Sequence, residues 1–176
     1  FLFALGRRKL TWQNFTASVM DAGKMTAMIF LIIIGAMIFG YFLAATRLPF
    51  ELADRVVALE VNRYIIFGII LFMYLFLGAI MSSVAMILIT VPIFFPVIVA
   101  LGFDPIWFGI IIVRMCEVGG ITPPVGVNAY IVAGVAKDVP LQTVFRGIVP
   151  FLIADMCHIA LLIAAPQEVL FLPNLM

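Results

Sequence analysis

Gly119, Gly120, Thr122, Gly126 and Asn128 surround two adjacent prolines, Pro123 and Pro124, and their types and spacing suit chemistry. A proline has no N–H, so the carbonyl four residues earlier in a helix loses its donor. Pro123 and Pro124 thereby release the carbonyls of Gly119 and Gly120, inside a stretch from Val118 to Ala136 without a charge. Unpaired carbonyls are costly in an apolar medium, and broken helices persist at membrane depth mainly where they line a site. The freed oxygens, the Thr122 hydroxyl and the Asn128 amide form a ligand set for a hard cation such as sodium. Thr122 is placed to cap a second half-helix with Pro123 at its first position. The first half-helix is expected to end near Val118 to Gly120. Its last carbonyls would face a cation, and the N–H groups of the second half-helix an anion. Gly126 reads as a point where a neighbouring backbone, that of a hairpin tip at Ser82-Ser83, approaches closely. The competing reading is a proline kink whose freed groups are met by neighbouring helices and water.

Ionisable residues inside a membrane are candidates for function. Arg114 and Glu117 stand three apart and are positioned to pair, or Arg114 meets a carboxylate substrate together with Thr122. Asp155 and His158 share the same spacing, which suits a mutual hydrogen bond, a contact to another helix or a proton relay. Cys116 and Cys157 lack the spacing or flanking histidines of a zinc site and read as small buried apolar side chains.

The elements that hold these residues are membrane helices. The chain is 66% hydrophobic and 11% charged, whereas a soluble domain is about half apolar and about a quarter charged. A net charge of +1 with no basic stripe argues against a nucleic-acid partner. Phe1 to Gly6 reads as the tail of a hydrophobic helix, which makes the chain the C-terminal part of a longer membrane protein with no signal peptide. Thr11 to Lys24 is mixed and interfacial. Met25 to Ala45 has 21 residues without a charge, enough to span roughly 30 Å of hydrocarbon. Pro49 to Glu60 places Glu51, Asp54 and Arg55 opposite Phe50, Ala53, Val56 and Val57, with Glu51 and Arg55 at i,i+4, as in an interfacial helix.

Between Arg63 and Asp104 lie 40 uncharged residues, about 60 Å as one helix and twice the hydrocarbon thickness. The segment must turn. Its midpoint, Met81 to Met86, lacks charge, Gly, Pro, Asn and Asp, so the preferred reading is a re-entrant hairpin with Ser82 and Ser83 at its tip. Two full crossings are the alternative, and Pro92 and Pro96 kink the second arm. Asp104-Pro105 opens a broken helix over 105–137, Lys137-Asp138 begins a loop, and a terminal helix follows over 143–166. If Arg7-Arg8-Lys9 is cytoplasmic, Lys24, Lys137 and Arg146 join it against Arg47, Arg55 and Arg63, which puts the C-terminus outside the cytoplasm.

Four ordered motifs resemble the large membrane subunit of TRAP (tripartite ATP-independent periplasmic) transporters: Phe76-Leu-Gly78, Ala85-Met-Ile-Leu-Ile-Thr-Val-Pro-Ile-Phe-Phe-Pro96, Gly102-Phe-Asp-Pro-Ile-Trp-Phe-Gly109 and Gly120-Ile-Thr-Pro-Pro-Val-Gly-Val-Asn128. Pro150-Phe151 and Leu172-Pro173 fit as well, and the similarity runs from about Thr11 to the end. The resemblance implies an all-α membrane protein, the C-terminal inverted repeat of an elevator-type transporter. Residues 1–60 would supply the end of a preceding helix, a scaffold helix and an interfacial arm. Residues 61–176 would be half of a transport domain, with hairpin 61–102, broken helix and terminal helix. It implies sodium-coupled uptake of small organic anions, carboxylates among them, across a bacterial or archaeal cytoplasmic membrane. A periplasmic substrate-binding protein and a small four-helix membrane subunit would be partners, and lipid the surroundings. Sodium is the coupling ion, and no other cofactor is expected. Gly119 to Thr122 falls by this resemblance on a sodium site. Where family members carry an acidic residue and a proline near the hairpin tip, this chain has Ser82-Ser83.

Two other functions compete. An intramembrane hydrolase would use Ser82 or Ser83 with His158, joined by a hydrogen bond of about 2.6–3.2 Å, yet no Gly-x-Ser-x-Gly elbow is present. A purely structural subunit would not require a doubly broken helix.

Overall fold

A computed structural model describes residues 11–123, 126–136, 139–171 and 173–175. Every regular element among them is helical. Helix α1, Trp12–Thr46, has 35 residues, so the mixed stretch 11–24 continues the apolar helix instead of forming a separate interfacial segment. At about 52 Å it exceeds a hydrocarbon core of about 30 Å, so part of it must stand in the headgroups or beyond. Residues 1–38 and 39–176 form two units, the first consisting, where described, of the greater part of α1.

The second unit carries the core. Helix α2, Leu48–Ala58, has Pro49 in its first turn. Its stripe of Pro49, Leu52, Ala53 and Val56 follows the helical period and turns inward, packing the helix on α4. Glu51, Asp54 and Arg55 face outward, as the pattern predicts. Phe50 and Val57, expected on the packed face, are exposed.

Helices α3, Arg63–Ile80, and α4, Ser83–Ala100, make the hairpin, with a turn of two residues at Met81 and Ser82. Asn62 caps α3 by accepting from Tyr64 N–H at 2.9 Å. Helix α5, Pro105–Ile121, starts as the sequence indicates: the Asp104 carboxylate accepts from the N–H groups of Ile106 and Trp107 at 2.8 and 3.0 Å. It runs through the centre of the unit, packed on both arms of the hairpin, with Ile111, Ile112, Cys116 and Val118 fully enclosed. Helix α6, Val127–Val135, follows the break, and α7, Leu141–Ala164, packs on α5 and α6. Pro166 does not simply end the terminal helix; it opens a short helix α8, Pro166–Leu170. By length and composition α1, α3, α4 and α7 can each cross a membrane.

Two polar contacts satisfy groups buried among these helices. Thr90 gives its one hydroxyl proton to the Met86 carbonyl at 2.7 Å, so the Tyr74 hydroxyl, 2.6 Å away, donates to Thr90. This bond ties the two hairpin arms. Pro166, four residues after Leu162, leaves the Leu162 carbonyl without a helical donor. The Trp107 indole N–H fills that vacancy from α5 at 2.8 Å. Replacing Trp107 with Phe keeps an aromatic ring and orphans a buried carbonyl, at a cost of about 1–3 kcal/mol. Thermal unfolding of the purified protein should show a lower Tm, and an unchanged Tm would remove the bond from the account.

Candidate functional site at the helix break

Helix α5 ends at Ile121 and α6 begins at Val127, with Thr122, Pro123 and Gly126 outside both helices among the described residues. The first half-helix runs one residue past the expected end at Gly120. Thr122 is the C-cap of α5 and not the N-cap of the second half-helix; that cap is Gly126, which adopts a left-handed φ of 49°. The reason is local. Thr122 uses both of its donors on the helix behind it. Its N–H reaches the Gly119 carbonyl at 3.1 Å and its hydroxyl the Val118 carbonyl at 2.5 Å. One residue thus meets two carbonyls that the helix end would leave open. The hydroxyl oxygen keeps its lone pairs free for a ligand. Pro124 lies outside the described residues, but having no N–H it cannot donate to Gly120.

The sequence-predicted residues are drawn together in part. Gly119 and Gly120 are buried, and Thr122 is half-buried. The Asn128 amide nitrogen lies 3.0 Å from where a Cβ on Gly120 would stand. The Thr122 carbonyl comes within 3.2 Å of the corresponding point on Gly126. Asn128 itself is exposed on the surface of the chain. Gly126 does not receive the hairpin: its nearest neighbours include the Phe145 ring and its own chain at Ile121 and Thr122. It is needed for its left-handed φ, which L side chains adopt at a cost.

The close backbone approach occurs one turn earlier. A Cβ on Gly119 would stand 2.8 Å from Gly78 Cα and 3.0 Å from the Leu75 carbonyl oxygen. Helices α3 and α5 therefore cross at a pair of glycines, the small-residue packing that lets membrane helices touch. The hairpin tip then meets the broken helix through a side chain that sequence reasoning assigned elsewhere. Ser83 donates to the Glu117 carboxylate at 3.3 Å. Ser82 caps α4 and is exposed.

Arg114 does not pair with Glu117. It pairs with Asp155 of α7, and both side chains are about one-third exposed (35% and 28%). Of the expectations for Asp155, the contact to another helix is the one observed, and His158 is exposed. Glu117 and His158 each share a helix with a charged neighbour three residues away, but packing turns Arg114 toward α7. Eight residues separate Arg114 from Thr122, about 12 Å along the axis, so the ion pair stands apart from the break. No hydrogen bond joins Ser82 or Ser83 to His158 among the described residues. Cys116 is buried, whereas Cys157, expected to be buried, is exposed, and both thiols are free.

The family model for the tripartite ATP-independent periplasmic transporter DctM component matches residues 1–168. The chain belongs to this family. It is 34% identical over 175 residues to the sialic acid TRAP transporter large permease protein SiaM of Vibrio cholerae, covering 99% of this chain and 41% of that protein. It is 35% identical to the C4-dicarboxylate TRAP transporter large permease protein DctM of Pseudomonas aeruginosa, covering 89% of this chain and 36% of that protein. A third relative, the isethionate TRAP transporter permease protein DctMQ of Oleidesulfovibrio alaskensis, is 32% identical over 88% of this chain and 24% of its own length. The chain thus spans less than half the length of these relatives. Family membership and the four apolar helices make it a multi-pass integral membrane protein.

Two predictions follow from the geometry. Gly119→Ala forces its methyl into the Gly78 backbone, which must shift, at a cost of about 1–3 kcal/mol. Gly68→Ala has open space at its Cβ and serves as the control, so equal Tm values for the two variants would contradict the crossing. For the ion pair, Asp155→Ala leaves Arg114 unpaired and destabilises by about 1–3 kcal/mol, while adding Arg114→Ala costs little more. A double-mutant cycle on thermal stability measures that coupling, and strict additivity would deny it.

Proposed function

We propose that this chain is the C-terminal portion of a sodium-coupled permease that takes up small organic anions across a bacterial or archaeal cytoplasmic membrane. The observation that supports it best is the interruption between α5 and α6, held beside the hairpin by the Gly78–Gly119 crossing and the Ser83–Glu117 bond. A broken helix braced by a hairpin is what a membrane ion site needs, because irregular backbone at that depth is tolerated where it lines a cavity. The sodium ligands in this reading are the Gly120 carbonyl, the Thr122 hydroxyl oxygen and the Asn128 side chain. Gly119 contributes by packing, since its carbonyl already accepts from Thr122 N–H, and Gly126 contributes by its backbone conformation. The α6 N-terminus beyond the break supplies positive dipole to the substrate anion.

Sialic acid and C4-dicarboxylates carry carboxylates and isethionate carries a sulfonate, so anionic charge is what these relatives' named substrates share. This favours an anion of either kind here. Arg114 serves the substrate only if the anion displaces Asp155. Residues 61–176 act as half of a moving transport domain in an elevator mechanism, with α3 and α4 as a re-entrant hairpin and α1 and α2 as scaffold and arm. A periplasmic substrate-binding protein delivers the anion, and a small four-helix membrane subunit stands alongside. The C-terminus lies outside the cytoplasm.

The test is uptake into liposomes by the full-length permease with its partner proteins, across sialic acid, dicarboxylates and isethionate, with and without sodium. Thr122→Ala should raise the sodium concentration for half-maximal uptake at least several-fold, the scale of about 1 kcal/mol for one lost ligand, and Thr122→Ser should restore it. Sodium activation that is identical in wild type and Thr122→Ala would remove Thr122 from the site. Uptake that ignores sodium altogether would overturn the coupling.

A further inference from the structure

The open end of the hairpin, opposite the Ser82–Ser83 tip, holds a second arrangement of charge and aromatic rings. Arg63 begins α3 and Asp104 precedes α5, so these two residues bracket the uncharged hairpin. Charges at both ends of such a stretch set that end at the level of the lipid headgroups, where Tyr and Trp also concentrate. Arg63, Asp104, Tyr64, Trp107, Ile163 and Pro166 line one cavity of about 190 Å³.

Arg63 and Asp104 face the same space without meeting. Among the described residues no carboxylate lies within 4.0 Å of the Arg63 guanidinium. The guanidinium is held instead over two rings, 5.2 Å from the Tyr64 centroid and 5.3 Å from that of Phe103. Those rings are fixed in turn: Phe103 and Trp107 stack at 5.4 Å, and the Trp107 indole N–H is committed to the Leu162 carbonyl. One Asp104 oxygen, Oδ1, caps α5, which orients the carboxylate and leaves Oδ2 without a hydrogen bond among the described residues. A fixed cation and a fixed anion that line one cavity without pairing, beside apolar walls at Ile163 and Pro166, match a ligand of the opposite pattern.

We infer that this cavity binds the headgroup of a zwitterionic phospholipid bearing a primary ammonium, with its phosphate on Arg63, its ammonium on Asp104 and an acyl chain along Ile163 and Pro166. Charge complementarity selects this occupant. Phosphatidylglycerol would satisfy Arg63 but offer Asp104 only neutral hydroxyls, weaker donors to a carboxylate than an ammonium. A free phosphate would leave both Asp104 and the apolar wall unused. Arginine recognises phosphate through a planar fork of N–H donors, and its stacking on two rings orders that fork in advance.

Native mass spectrometry of the full-length permease, with phosphatidylethanolamine, phosphatidylglycerol or inorganic phosphate added, tests the inference. Wild type should retain phosphatidylethanolamine in preference to phosphatidylglycerol and show no phosphate adduct. Asp104→Asn keeps an oxygen for the α5 cap and removes the charge, so it should abolish that preference while phosphatidylglycerol still binds. Arg63→Met should weaken both lipids roughly tenfold, the scale of one charge-assisted hydrogen bond, and Arg63→Lys should recover most of the loss. Lipid selectivity unchanged in Asp104→Asn, or retention unchanged in Arg63→Met, overturns the inference. So does an inorganic phosphate adduct that outcompetes lipid. If Arg63→Met does not fold, the selectivity of Asp104→Asn and the binding of Arg63→Lys still decide it.

Discussion

A peptide carbonyl that loses its helical donor in an apolar medium must find another partner, and much of this structure answers that requirement. Four of the chain's prolines bear on it directly. Pro166 strips Leu162 of its donor and the Trp107 indole replaces it from a different helix. Pro123 strips Gly119, and Thr122 N–H replaces it from the next residue but two. Pro124 has no N–H to offer Gly120, and a Cβ on Gly120 would meet the Asn128 amide at 3.0 Å. Pro105 sits where a missing N–H costs nothing, at the start of α5. The same chemical defect thus closes a tertiary contact at one end of the unit and opens a candidate ion site at the other.

Placing that site requires close packing. The glycine pair Gly78–Gly119 brings α3 against α5 at backbone distance, and this sets the hairpin tip next to Glu117. A methyl at either glycine would push the two elements apart by several tenths of an ångström or more. Binding geometry is sensitive to displacements of that size. The core around Tyr74, Met86, Ile98, Phe108 and Ile111 is fully enclosed and holds the crossing from below. Helices α1, α6 and α7 by contrast expose much of their apolar surface.

Charge is used sparingly and at distinct depths. Arg63 and Asp104 mark the open end of the hairpin, Arg114 and Asp155 join α5 to α7, and Glu117 stands at the tip. A charge in hydrocarbon is costly enough that each must be paired or reach a polar surface. The three locations therefore set the open end of the hairpin, the ion pair between α5 and α7 and the candidate site apart from one another.

The class of the protein, the hairpin, the Asp104-Pro105 helix start and the break at the double proline were all legible in the residues. These follow from hydropathy, proline's missing N–H and capping chemistry, which are local properties. The stripe on α2 was half legible, because period identifies the apolar face but not which edge of it meets α4. The partners were not legible. Arg114 chose Asp155, 41 residues away, over Glu117 on its own helix. Ser83 chose Glu117, and Gly119 met Gly78 where Gly126 was expected to receive the hairpin. Thr122 capped backward and not forward, since two carbonyls behind it competed for its donors. Those choices depend on how each helix is rotated when packed, and rotation is settled by the sum of many contacts across the unit, which no single segment contains.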